Sequence, residues 1–274
     1  MPSANSSDPA PSPAEALLRA GRLGEALQAL SAHVRGHPAD AASRVFLFQL
    51  LAAAGQWERA ASQLQASRRM DASNAVLEAA YGAVLEAERV RAAVFAGEWL
   101  PTAIGEPEPW LVLLLQAAKL SAQGLHAPAA PLRAQAFEQA PATRGRIDGA
   151  PFAWLADADP RFGPCLEVLI DGGYGWAPFS RIRELRLEAP TMLCDTLWAP
   201  ATVTWSNGGQ TPAFVPARYP GSEAAADDLL RLGRRTDWSQ CDAQTWTGCG
   251  QRMLATDTGE YPLLDIRRIE FDLD

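Results

Sequence analysis

Lysine is nearly absent from this chain: of 24 basic residues among 274, all but Lys119 are arginine. With 32 acidic residues the formal net charge is -8, which argues against a broad surface for nucleic acid or anionic lipid. A local arginine patch stays open. Histidine is scarce as well, with only His33, His37 and His126. Everything beyond residue 126 therefore lacks the base of a Ser-His-Asp or Cys-His arrangement. With four cysteines and no secretion signal expected, a disulfide scaffold is a poor fit. Seven residues separate Cys241 from Cys249, unlike the short CxxC knuckle of a zinc site. Cys165 and Cys194 lie beside apolar segments and read as core. Long apolar runs are missing too. The run from Trp110 to Leu115 has six residues, whereas a membrane helix needs roughly 18. Residues 1–11 have neither the basic nor the apolar region of a signal peptide and read as a loose tail. The expectation is a soluble protein of the reducing cytoplasm without membrane insertion.

What is present suits a folded chain. Hydrophobic residues make up 48% and charged residues 20%, and at about 150 residues per domain the length allows two modest domains. Composition changes near residue 145. The first part is rich in Ala and Leu at helical spacing. The second holds six of the nine tryptophans among short Val, Ile and Tyr segments broken by Gly and Pro. Pro141, Gly145 and Gly149 punctuate a boundary within 140–150. The expected fold is α+β: a tetratricopeptide-like (TPR-like) helical repeat domain at 12–140, then a small mixed, largely antiparallel β module at 150–274.

The first domain repeats with a period of 34. Gly21-Arg-Leu-Gly-Glu-Ala-Leu-Gln-Ala-Leu30 is echoed by Gly55-Gln-Trp-Glu-Arg-Ala-Ala-Ser-Gln-Leu64, and Leu17 and Leu51 hold the same offset. A small residue at Ala26 and Ala60 lets two antiparallel helices approach, the leucines fill the seam, and Gly21 and Gly55 suit the turns. This is the tetratricopeptide pattern. A degraded third register falls at Leu85 and Val94, with Arg91 and Glu98 where apolar or helix-contacting residues are expected. Ser12-Pro-Ala-Glu15 is a capping box. Further helices are expected near 24–36, 40–53, 57–69, 73–85, 88–98, 110–123 and 128–139. Such a stack either presents a groove to a peptide or helix or is helical-hairpin packing alone. Trp57, Trp99 and Trp110 read as core or inter-helix wedges.

Beyond residue 150, strands are expected at 166–170 and 176–179 around an Asp171-Gly-Gly turn, and at 198–205 and 211–217 around Asn207-Gly208. A last hairpin joins 251–256 to 261–266 through Asp257-Thr-Gly259. Short helices are expected at 180–187 and 223–232. Candidates for chemistry are weak. His33 and His37 stand four apart but without HExxH and with few nearby carboxylates. Asp227 and Asp228 are adjacent and point apart on a helix. The glycine pairs lack the lysine of a phosphate loop. No catalytic residue, metal or cofactor is expected. A hydrolase using acids such as Asp195 or Asp265 is the outlying alternative.

Several carboxy-terminal segments carry a resemblance. Phe214-Val-Pro-Ala-Arg-Tyr-Pro-Gly-Ser-Glu223, Leu232-Gly-Arg-Arg-Thr-Asp-Trp238, Gly250-Gln-Arg-Met-Leu254 and Tyr261-Pro-Leu-Leu-Asp-Ile266 resemble the ImpE/TagJ family, as do Tyr174, Trp176, Pro178 and Phe179. The resemblance implies a non-enzymatic accessory component of bacterial type VI secretion. Its implied partners are the amino-terminal helix of the small contractile-sheath subunit and the disassembly ATPase ClpV. Candidate interface or framework residues are Trp176, Arg218, Tyr219, Glu223, Arg234, Arg235, Trp238 and Arg252. Arg234 and Arg235 are expected to pair with Asp227, Asp228 or Asp237, or to contact a partner. A structural scaffold that self-associates without recognising the sheath subunit is the competing reading.

Overall fold

The computed structural model describes residues 12–242 and 245–273. The tail expected at 1–11 lies outside them. The helical part comprises α1 (Pro13–Arg19), α2 (Leu23–Gly36), α3 (Ala41–Ala53), α4 (Trp57–Met70) and α5 (Ala75–Phe95), then, after the two-residue strand β1 (Thr102–Ala103), α6 (Pro109–Ala122) and α7 (His126–Gln139). Ser12 caps α1 reciprocally with Glu15, the two bonds measuring 3.3 and 2.7 Å. Gly21 and Gly55 take left-handed φ values of 74° and 71°. Behind each, an amide closes the helix end: Arg22 N–H donates to the Leu17 carbonyl at 3.0 Å and Gln56 N–H to that of Leu51 at 2.9 Å. This is the glycine-terminated cap that lets a chain reverse tightly. Ala26 and Ala60 are fully buried where the paired helices meet.

The third such hairpin lies elsewhere than the sequence suggests. Leu85 and Val94 both belong to α5, one 21-residue helix where two were expected. The reason is local. Position 89, one period after Gly55, is arginine within Glu-Ala-Glu-Arg-Val-Arg, all residues that extend a helix. The matching turn comes between α6 and α7. There Gly124 has φ 77°, Leu125 N–H donates to Leu120 at 2.8 Å, and Ala129 is fully buried.

The strands follow in order: β2 (Gly145–Ile147), β3 (Ala150–Phe152), β4 (Leu155–Asp157), β5 (Cys165–Ile170), β6 (Gly173–Pro178), β7 (Ile182–Leu187), β8 (Trp198–Trp205) and β9 (Gln210–Pro216). After the short helix α8 (Asp228–Arg231) come β10 (Thr236–Gln240), β11 (Trp246–Gly250), β12 (Met253–Thr256), β13 (Glu260–Pro262) and β14 (Arg268–Phe271). Nine of them form one sheet in the order β1-β6-β5-β9-β8-β7-β14-β2-β3, with a pair β10-β11 and a trio β13-β12-β4 beside it. Among the described residues only the β1–β6 pairing is parallel. The sheet is larger than the small module expected, and it draws β1 from the helical part.

Two expected helices are corrected. Residues 182–187 are a strand, not a helix. A register shift between Ile182 and Glu184 puts Ile182 and Leu185, three apart, against the core together and so imitates helical spacing. The 223–232 helix shrinks to α8, because Asp227 caps it through the Leu229 N–H at 2.7 Å. The hairpin expected at 251–266 is present but shorter, as β12 and β13, with Leu263–Asp265 in a 3-10 turn.

Apolar residues on alternate positions of the large sheet face opposite ways. Leu166 and Val168 join Leu185, Val203 and Ile269 in one cluster. Cys165, Leu169, Trp176 and Trp198 face the other way and share a cluster with Leu51, Leu64, Tyr81 and Trp110 of the helices. One core therefore runs from the helical part into the sheet. Glu167 sits between Cys165 and Leu169, which aims a carboxylate into that core.

Candidate functional site

The point where α5 crosses the sheet holds a buried ionic seam. Glu167 on β5 is fully buried and accepts from two arginines. Arg91 of α5 donates its Nε and Nη2 to the two carboxylate oxygens at 2.9 and 3.0 Å, and Nη2 also reaches the Arg218 carbonyl at 2.8 Å. Arg252, entirely buried, bridges Glu167 and Asp157 and donates Nε to the Pro216 carbonyl at 2.9 Å. Its guanidinium stacks 4.5 Å from the Phe162 ring centre and 5.3 Å from that of Tyr219. Tyr174 adds its hydroxyl to Glu167, and the Trp176 indole N–H donates to Tyr174 at 2.6 Å. From α5, Glu88 accepts the Trp198 indole N–H at 2.7 Å.

Arg218 has another task. Its Nη1 donates to the carbonyls of Ala53, at 3.0 Å, and Arg231, the last residues of α3 and α8. A cation at helix carboxy-termini meets both the unpaired carbonyls and the negative end of the dipole. Burial pulls its pKa down to about 10, so it stays charged at neutral pH. The helical part and the sheet are thus tied by polar contacts as well as by apolar packing. Tyr81 of α5 adds a 2.6 Å bond to Asp195.

The two seam carboxyls titrate in opposite senses. Burial would raise Glu167, but Arg91 and Arg252 outweigh it and hold the group below its ordinary 4.5. Asp157 is pushed up to about 7 by burial, against the attraction of Arg252. Stability from Glu167 is present above its unfolded pKa and is lost as pH falls through the depressed folded value. Asp157 does the reverse: its contribution is full below about 3.8 and is lost as pH rises through about 7. Thermal melting should therefore weaken from pH 5 to pH 8, and Asp157→Asn should flatten that slope. An unchanged slope in the variant would assign the loss to other groups.

Of the eight residues singled out from sequence, Trp176, Arg218, Tyr219 and Arg252 are buried inside this seam or beside it. Glu223 and Trp238 are half-buried, and Arg234 and Arg235 are exposed. Arg235 pairs with Asp227 at 2.9 Å and Asp237 at 3.7 Å, while Arg234 donates to the Arg19 carbonyl of α1 at 3.1 Å. The sequence reading missed Glu167, Asp157, Arg91 and Glu88. One signal was available: an acid inside Leu166-Glu-Val-Leu-Ile170, an otherwise apolar strand, needs a buried partner.

Among the described residues, the acids and histidines that could have carried chemistry are otherwise engaged or stand apart. Asp195 is occupied by Tyr81, the Thr191 hydroxyl and two backbone amides, and Asp265 is exposed in a turn. His33 and His37 stack at 4.3 Å, and His33 lies 3.4 Å from Asp40. Among the described residues no three His, Cys, Asp or Glu side chains are grouped to hold a metal. No described helix is long and apolar enough to cross a membrane. Among the described residues the surface does offer apolar grooves, two of which adjoin the strands. One, of about 380 Å³, runs between Ala79, Ala80 and Ala83 of α5 and the strand residues Leu169, Pro212 and Phe214. The other, of about 410 Å³, lies between the end of α7 and β4, flanked by Phe137 and Trp154, each 40% exposed.

Comparison with known proteins gives this arrangement a context. The sequence pattern described as ImpE protein matches residues 149–270. The type VI secretion system accessory component TagJ of Pseudomonas aeruginosa is 48% identical over 259 residues, covering 94% of this chain and 91% of that protein. A crystal structure of a Vibrio parahaemolyticus protein superposes with a TM-score of 0.88 over 96% of this chain and 98% of the other, at 22% identity. That likeness concerns the fold.

Proposed function

The chain belongs to the ImpE/TagJ family, and from that membership we propose that it is a non-enzymatic accessory component of a bacterial type VI secretion system, working in the cytoplasm by binding other proteins. Its partner is the amino-terminal helix of the small contractile-sheath subunit, and through it the chain reaches the ClpV ATPase. The 48% identity to TagJ along nearly the whole chain is the observation that carries the reading. Helical hairpins built alike around Gly21, Gly55 and Gly124 support a tetratricopeptide-like first domain at 12–140. A match that begins at residue 149 supports an ImpE-type second domain at 150–274.

Within this proposal the candidate residues divide by burial. Trp176, Arg218, Tyr219 and Arg252 form the frame, whereas Arg234 and Arg235, though engaged with Arg19, Asp227 and Asp237, stay exposed towards a partner. Co-purification from the native host tests the reading. The small sheath subunit should elute with the tagged chain, and deleting the subunit's amino-terminal helix should abolish co-elution. Retention of the helix-deleted subunit at wild-type yield would overturn the assignment of partner segment.

A further inference from the structure

The first part of α5 carries an apolar stripe that the rest of the described chain leaves open. Val76 is 81% exposed, Ala79 is exposed, and Ala80 and Ala83 are half-buried. Positions 76, 79, 80 and 83 fall on one face of a helix. Ala79, Ala80 and Ala83 form one wall of the 380 Å³ groove, with Leu169 and Phe214 opposite, and Val76 extends the stripe beyond it. Alanine walls allow a second helix axis to approach to about 8 Å, the close end of helix packing. From Val76 to Ala83 the stripe is roughly 10 Å long, room for about two turns of a partner. The groove also carries charge of one sign. Asp171, in the β5–β6 turn, and Glu188, just past β7, both line it. Neither carboxylate has an ion pair or a side-chain hydrogen bond among the described residues. By contrast, Glu78 on the same helix pairs with Arg68 at 3.1 Å.

We infer that this groove docks a short amphipathic helix of a protein partner, its small or aliphatic side chains against α5 and its basic side chains at Asp171 and Glu188. The inference rests on the reading that the chain works by binding a helical segment, and it adds the place and the charge of that segment. An anionic membrane surface does not fit, because the two unpaired acids would repel it.

Fluorescence anisotropy with the full chain tests it, the probe being a labelled peptide of the host sheath subunit's amino-terminal helix. Ala79→Trp fills the groove from an exposed helix position and should abolish binding. Asp171→Asn with Glu188→Gln removes the rim charge. Asparagine tolerates the φ of 49° at position 171. That double variant should bind about tenfold more weakly at low salt and lose the salt dependence shown by the wild type. Melting temperatures of the variants report that they are folded. If the peptide binds all variants as it binds the wild type, the groove assignment is overturned while the partner reading stands. If neither the peptide nor the intact subunit binds the wild-type chain, the partner reading fails and takes this inference with it.

Discussion

Glu167→Ala is expected to lower the free energy of unfolding by about 3–5 kcal/mol, the cost of breaking a buried ion pair from one side. The substitution leaves two cations, Arg91 and Arg252, inside the core without the acceptor they share, and the Tyr174 hydroxyl loses its acceptor too. Domains of ordinary stability hold only about 5–15 kcal/mol in total, so much of the reserve would go. Urea unfolding followed by circular dichroism measures it. Glu167→Gln keeps the shape and removes the charge, and should fall between wild type and Ala. A loss below about 1 kcal/mol for Glu167→Ala would mean that the seam contributes little to joining helices and sheet.

Trp198→Ala should cost a similar amount, about 3–5 kcal/mol, through the cavity it leaves. The indole is 1% exposed at the start of β8. Its ring centre is 5.9 Å from that of Trp57 on α4 and 6.3 Å from that of Tyr81 on α5. Its N–H also satisfies Glu88, which would be left without that donor. Because the side chain joins elements from both parts, the weakened protein should still unfold in one transition. Helical ellipticity and tryptophan fluorescence should move together in denaturant. Separate midpoints would show that the helices and the sheet can part.

Much of the local structure was legible in the residues. The Ser12 capping box, the glycine turns at 21 and 55 and the Asn207-Gly208 reversal all rest on interactions within a few positions. The third hairpin carried the same spacing, Leu120, Gly124 and Ala129, but 69 residues after Gly55 rather than 34. Uninterrupted α5 and the β1 segment displace it from the period. The seam was illegible for a different reason. Arg91 meets Glu167 across 76 residues and Arg252 meets Asp157 across 95, so no spacing announces either pair. Arg91 read as a fault in the repeat, whereas its burial is what fastens α5 to β5. Trp176, Arg218, Tyr219 and Arg252 stood out in sequence as frame or interface. The structure buries all four. The open groove was illegible because its α5 wall is alanine, which carries no chemical mark in a sequence rich in it.

The central claim is that this chain recognises a partner helix and performs no chemistry. Isothermal titration of the full chain with the purified small sheath subunit, intact and without its amino-terminal helix, addresses it most directly. Saturable heat with the intact subunit and none with the shortened one is the predicted result. Equal affinity for both would contradict the account.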